Sequence, residues 1–163
     1  MSEILREWTD FNVAIVGATA ALAGLVIVAA SVNISDIVKS RTLTARLGTA
    51  VATLVGALVI SALGLVPGIE AAWFGGLVIV IALILLVFQV LTIRLLAADR
   101  DPDDRSRWAK SLLGVLPVAA YATAGALGFV SAPAALIAAA AGAILAIVAA
   151  IVVSWVALVE VLR

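Results

Sequence analysis

The 163-residue chain contains no cysteine and no histidine. Those two absences exclude disulfides, thiolate nucleophiles, cysteine or histidine metal sites, histidine-ligated haem and any histidine acid–base step. Metal binding is left to carboxylates, and the sequence offers no catalytic residue, no metal site and no cofactor; it reads as a protein that is not an enzyme. Charge is scarce as well, at 12% of residues where soluble domains carry about 25%. Ten basic and ten acidic residues cancel, so the balance points to no nucleic-acid partner. No polar stretch is long enough for a second domain, and residues 1–163 read as a single transmembrane domain. The opening, Met1-Ser2-Glu3-Ile4-Leu5-Arg6-Glu7, sets one arginine among acids and lacks the basic n-region of a secretory signal.

What fills the chain instead is apolar: 66% hydrophobic residues and a mean hydropathy of +1.31, against about 45–50% apolar in soluble domains. A soluble fold of this size could not hide that surface, so the excess must face lipid. A helix crosses the hydrocarbon core with about 20 apolar residues. Five stretches meet the requirement, at about 11–34, 47–66, 73–93, 111–130 and 134–158. Pro67-Gly68 separates the second from the third, and Ser131-Ala132-Pro133 the fourth from the fifth; both are hairpin-length breaks. The expected fold is therefore all-α, an integral membrane helix bundle of five transmembrane helices.

Orientation follows from the basic residues. Lys39, Arg41, Arg46, Arg94, Arg100, Arg105, Arg107, Lys110 and Arg163 share one side if the chain crosses five times, and Arg6 alone lies opposite. Glu3, Glu7, Asp10 and Glu70 occupy that opposite side. The N-terminus is thus expected outside and the C-terminus inside. Trp8 and Trp73 then belong to the outer interface, Trp108 and Trp155 to the inner one. Four spans with a re-entrant final pair is the alternative, and it strands Arg163 outside.

Between helices in lipid there is no hydrophobic force, and small residues permit close approach instead. Such ridges occur at Gly17, Ala21 and Gly24, at Gly48, Ala52 and Gly56, and at Ala139, Ala143, Ala146 and Ala150. They form a candidate helix-packing interface, with the fifth span expected to make a contact between copies or with a partner. Beside the second ridge runs a mildly polar one, Thr49, Thr53, Ala57 and Ser61. The third span, Leu, Ile and Val from Leu77 to Val87 apart from Ala82, is the expected lipid-facing helix. Pro117 is expected to kink the fourth, and Tyr121 there to bond a neighbouring carbonyl.

Ionisable residues buried in a membrane are costly and usually functional. None falls near the middle of any span. An uncharged polar layer does recur in the inner third: Ser31, Asn33, Gln89, Thr92 and Ser154, with Glu160 following. It either lines a vestibule or bonds between helices. The loop around Asp99, Asp101 and Asp103 has the alternation of a calcium loop, but Asp104 replaces the turn glycine and Lys110 the bidentate glutamate. It reads as a solvated polar loop.

Trp8, Phe11, Val13-Ala14, Gly17-Ala18, Ala20-Ala21-Leu22, Gly24-Leu25, Val28-Ala29, Ser31 and Asn33 resemble the opening of a bacterial family of small polytopic membrane proteins of actinobacterial type. The family is generally uncharacterised, and some members are labelled modulators of a membrane-bound AAA protease. The resemblance covers one span and implies a multi-pass protein of the bacterial cytoplasmic membrane; it implies no catalytic residues. Three functions compete. The first is a non-catalytic accessory or scaffold protein that packs with itself, as a homo-oligomer, or with a larger membrane complex, its other contacts being membrane lipids. The alternative is an oligomeric pore or passive channel lined by hydroxyl and amide side chains. An enzyme on lipid substrates comes last, because no buried acid–base pair is in view.

Overall fold

A computed structural model of the protein describes residues 6–98 and 107–161. Its helices are α1 (Thr9–Val32), α2 (Ile34–Ile37), α3 (Arg41–Gly64), α4 (Ala71–Ala98), α5 (Arg107–Leu127) and α6 (Ala132–Val161). Among the described residues there is no strand.

Local chemistry sets the breaks. Asn33 leaves helical backbone (φ −110°, ψ 22°) and ends α1 one residue before the apolar run does. Ser40 is extended and its Oγ accepts from the Leu43 amide at 3.2 Å, which satisfies one of the free donors at the start of α3. Thr44 Oγ1 donates to the Ile37 carbonyl at 2.9 Å, fixing the one-turn α2 against α3. Between α3 and α4, Gly68 follows Pro67 with φ +74°, a conformation open to glycine at no steric cost. Between α5 and α6, the Ser131 amide returns to the Leu127 carbonyl at 2.7 Å. Pro133 then sits in the first turn of α6, where a missing N–H leaves no bond unmade.

Four helices are long and apolar enough to cross a membrane: α1, α3, α4 and α6. The apolar part of α5, Leu113–Leu127, is shorter, although its 21 residues extend about 31 Å at the α-helical rise. The chain is a helical membrane bundle.

Its plan is a closed ring of four helices with a fifth outside. α3 packs on α4 and α6, and α5 on the same two, while α1 lies chiefly against α3. Neighbouring helices run antiparallel, as their meeting points show. Asn12, early in α1, sits against Gly64 at the end of α3, and Gly75, early in α4, against Gly128 beyond the end of α5. Glu7, Asp10 and Glu70 therefore gather at one end of the bundle, and Lys39, Arg41, Arg46 and Arg94 at the other.

Glycine permits a close crossing of α4 and α5. A methyl on Gly128 would lie 2.6 Å from the Gly75 Cα, and one on Gly75 2.8 Å from the Gly125 carbonyl oxygen. The backbones of α4 and α5 thus touch at the acidic end. Leu54, Phe74, Val78, Tyr121 and Ala124 fill the interior. α4 does present Val80, Leu83, Ile84 and Val87 outward, but Ala82, expected on its lipid face, is 4% exposed and belongs to the core. α1 is the least buried of the four long helices, because it has a neighbour on one side only.

Candidate functional site

Several hydroxyls in the helices are satisfied by their own backbone. Thr19, Ser31, Thr53, Thr123 and Ser154 each donate to the carbonyl four residues back, at 2.7–2.8 Å. This is the usual way for Ser and Thr to sit in a helix without a partner elsewhere. Thr49 and Thr92 depart from it. Their Oγ1 atoms lie 2.7 Å apart, linking α3 to α4. Thr92 is also 3.3 Å from the Ala45 carbonyl, and Thr49 3.5 Å from that of Phe88. Each hydroxyl has one hydrogen, so the shorter carbonyl contact selects the arrangement: Thr92 donates to Ala45, and Thr49 donates to Thr92.

Around this pair the helices converge. Arg46 lies one turn before Thr49 and is 9% exposed; five residues into α3, it stands about 7.5 Å from the helix start. Gln89 lies one turn before Thr92 and is 3% exposed. Gly114 of α5 makes room for it, since a methyl there would run into the Gln89 carboxamide. Pro117, buried beside them, has no N–H and leaves the Leu113 carbonyl without its helical donor. A cavity of about 30 Å³ opens among Arg46, Thr49, Thr53, Gln89, Thr92 and Pro117, closed on its far side by alanines of α6. It has room for roughly one or two water molecules. The lining combines the buried Arg46, the Gln89 carboxamide and the hydroxyls of Thr49, Thr53 and Thr92, with no carboxylate.

The residues singled out from sequence fall into different places. Of the polar layer, Gln89 and Thr92 enter this cluster. Ser31 is exposed on α1, Asn33 bonds the Ala29 carbonyl at 3.2 Å, and Ser154 bonds Ala150 on α6. The Glu160 side chain and the loop from Asp99 to Ser106 lie outside the described residues. The layer is thus not one surface; its α4 members meet the α3 hydroxyl ridge instead. Of the small-residue ridges, Ala139, Ala143, Ala146 and Ala150 are at most 7% exposed. In the single chain that stripe is covered by the chain's own helices. Gly56 is buried under Leu85, and Ala52 is half-buried. Gly48 is exposed, and Gly17, Ala21 and Gly24 look outward from α1 with open space around both glycines.

Tyr121 is fully buried over Gly142, and its hydroxyl has no hydrogen-bond partner among the described residues, where a bond to a carbonyl was expected. Arg46 and Gly114 were missed as site residues. In the sequence Arg46 counts only among the basic residues that set orientation, although its spacing to Thr49 and Thr53 puts all three on one face. No signal marked Gly114, whose role depends on a side chain of another helix. Comparison with protein-family models, with curated proteins and with solved structures found no match to this chain, so the family resemblance rests on residues between Trp8 and Asn33 alone.

Proposed function

We propose that the protein is a five-span, non-catalytic accessory or scaffold protein of a bacterial cytoplasmic membrane, N-terminus outside, that docks with copies of itself or with a larger membrane complex through α1. One observation carries this reading. Gly17, Ala21 and Gly24 are exposed on the least buried long helix, while the Ala139–Ala150 stripe is used up inside the bundle. Small side chains on an outer face let another helix approach closely, which is how packing energy is gained in lipid. The likeness of the same segment to proteins labelled as modulators of a membrane-bound protease agrees with a docking role. The charge segregation along the bundle supports the five-span orientation.

The experiment replaces Ala21 by Leu and compares the size of complexes recovered from native-like membranes with those of the unaltered chain. Ala21→Leu is expected to reduce the assembled fraction while leaving the helix content and stability of the single chain unchanged. Assembly that withstands both Ala21→Leu and Gly24→Leu would overturn the reading.

A further inference from the structure

Among the described residues, Arg46 is the one charged side chain that is buried. A charge taken out of water is costly unless opposite charge and hydrogen bonds compensate it, and the lining of the Arg46 cavity contains no carboxylate. A guanidinium carries five N–H donors, and a bidentate partner takes two of them. Whatever else Arg46 bonds, its donors outnumber what one partner accepts. The Gln89 carboxamide, 3% exposed and lining the same cavity, brings two further N–H donors. The surroundings are basic too. Lys39, Arg41 and Arg94 are exposed at this end of the bundle, and Asp36 there is bound to Lys39 at 2.7 Å. Such a surplus of one sign raises the local concentration of the opposite ion.

We propose that this cavity binds one small monatomic anion of the chloride type, with the Arg46 guanidinium as its counter-charge and the Gln89 carboxamide as a second donor. Size selects the class. A volume of about 30 Å³ takes one or two particles as large as water, which suits a halide with at most one water and is too small for sulfate, phosphate or an organic acid. Charge selects the sign, since a cation would meet the like charge of Arg46 with no carboxylate in the lining to offset it. Depth decides what the ion can do. From Arg46 to Thr53 the lining runs about 10 Å along α3, and beyond it Leu54, Ala57, Val78 and Leu85 fill the interior. The ion enters and leaves at the basic end and does not cross. The site is independent of the docking role of α1.

The test places the full chain in phosphatidylcholine nanodiscs at constant ionic strength, with gluconate exchanged for chloride, and reads the width of the chloride NMR line against protein-free nanodiscs. The unaltered chain is expected to broaden the line saturably. Bromide should remove the broadening by competition, and sulfate should not. Arg46→Gln should weaken chloride about tenfold or more, the worth of a hydrogen bond to a charged group, whereas Arg94→Gln, at an exposed position of the same end, should leave it unchanged. If Arg46→Gln lowers thermal stability, Gln89→Met takes its place and should also weaken chloride. An unaltered chain that broadens the line no more than protein-free nanodiscs overturns the proposal and leaves the cavity to water. Full binding in the cavity variant, equal loss in Arg94→Gln, or displacement by sulfate as readily as by bromide overturns it as well, the last two by assigning the effect to the basic surface.

Discussion

The Thr49–Thr92 contact joins two helices by side chains alone, and its worth in a membrane is small, because the separated helices also find partners for their hydroxyls. A double-mutant cycle of Thr49→Val and Thr92→Val, read by reversible unfolding in mixed micelles, should give a coupling of about 0.6 kcal/mol. A coupling of zero would mean that the 2.7 Å contact is not maintained in the bilayer. Tyr121 runs the other way. Its hydroxyl is buried and unpaired, and a polar group left so costs about 1–3 kcal/mol. Tyr121→Phe keeps the ring over Gly142 and removes the unpaired group. The variant is therefore expected to be more stable, by about 1 kcal/mol; a loss of stability would show that the hydroxyl has found a bonding partner.

Between elements the same residue type acts in two ways, and position decides which. Gly75, Gly125 and Gly128 bring the α4 and α5 backbones together, so a single added methyl must move backbone. Gly17 and Gly24 on α1 face open space. Gly128→Ala should destabilise the bundle by about 1–3 kcal/mol through overpacking, and Ala146→Leu, at a fully buried site, by a similar amount. Gly17→Ala should cost the fold nothing measurable and gain slightly in helix propensity. Thermal unfolding of the three variants in one detergent checks the order; equal shifts would contradict the crossing described for α4 and α5.

For the molecule as a whole, the ends carry opposite charge and the middle almost none. Since the chain has no cysteine, Glu70→Cys and Lys39→Cys each introduce a single thiol at an exposed position at one end. An impermeant thiol reagent applied to intact cells should label the first and spare the second; labelling of the second alone would reverse the orientation. Conduction is a second property at this scale. The polar cluster stops at a buried layer of Leu54, Ala57, Val78 and Leu85, and an ion path needs polar groups or charge at most depths. Liposomes holding the protein are expected to pass no more ions than protein-free ones. Single-channel currents reshaped by Thr53→Val would move the pore reading ahead of the accessory one.

The membrane class, the helices and the charge segregation were legible in the residues themselves, because hydropathy and span length are local sums over consecutive positions. Breaks were legible at Pro67-Gly68 and Ser131-Ala132-Pro133, where backbone chemistry acts within one turn. Even the Thr49–Thr53 ridge was visible as a period. Which ridge faces which neighbour was not. A small-residue stripe looks the same whether other helices of the chain cover it, as at Ala139–Ala150, or it is left on the outside, as at Gly17–Gly24. The lipid and the interior of such a bundle are equally apolar, so hydropathy carries no mark of inside and outside. For that reason the burial of Ala82 and Arg46, the room that Gly114 leaves for Gln89, and the outward turn of α1 were decided only when the helices met.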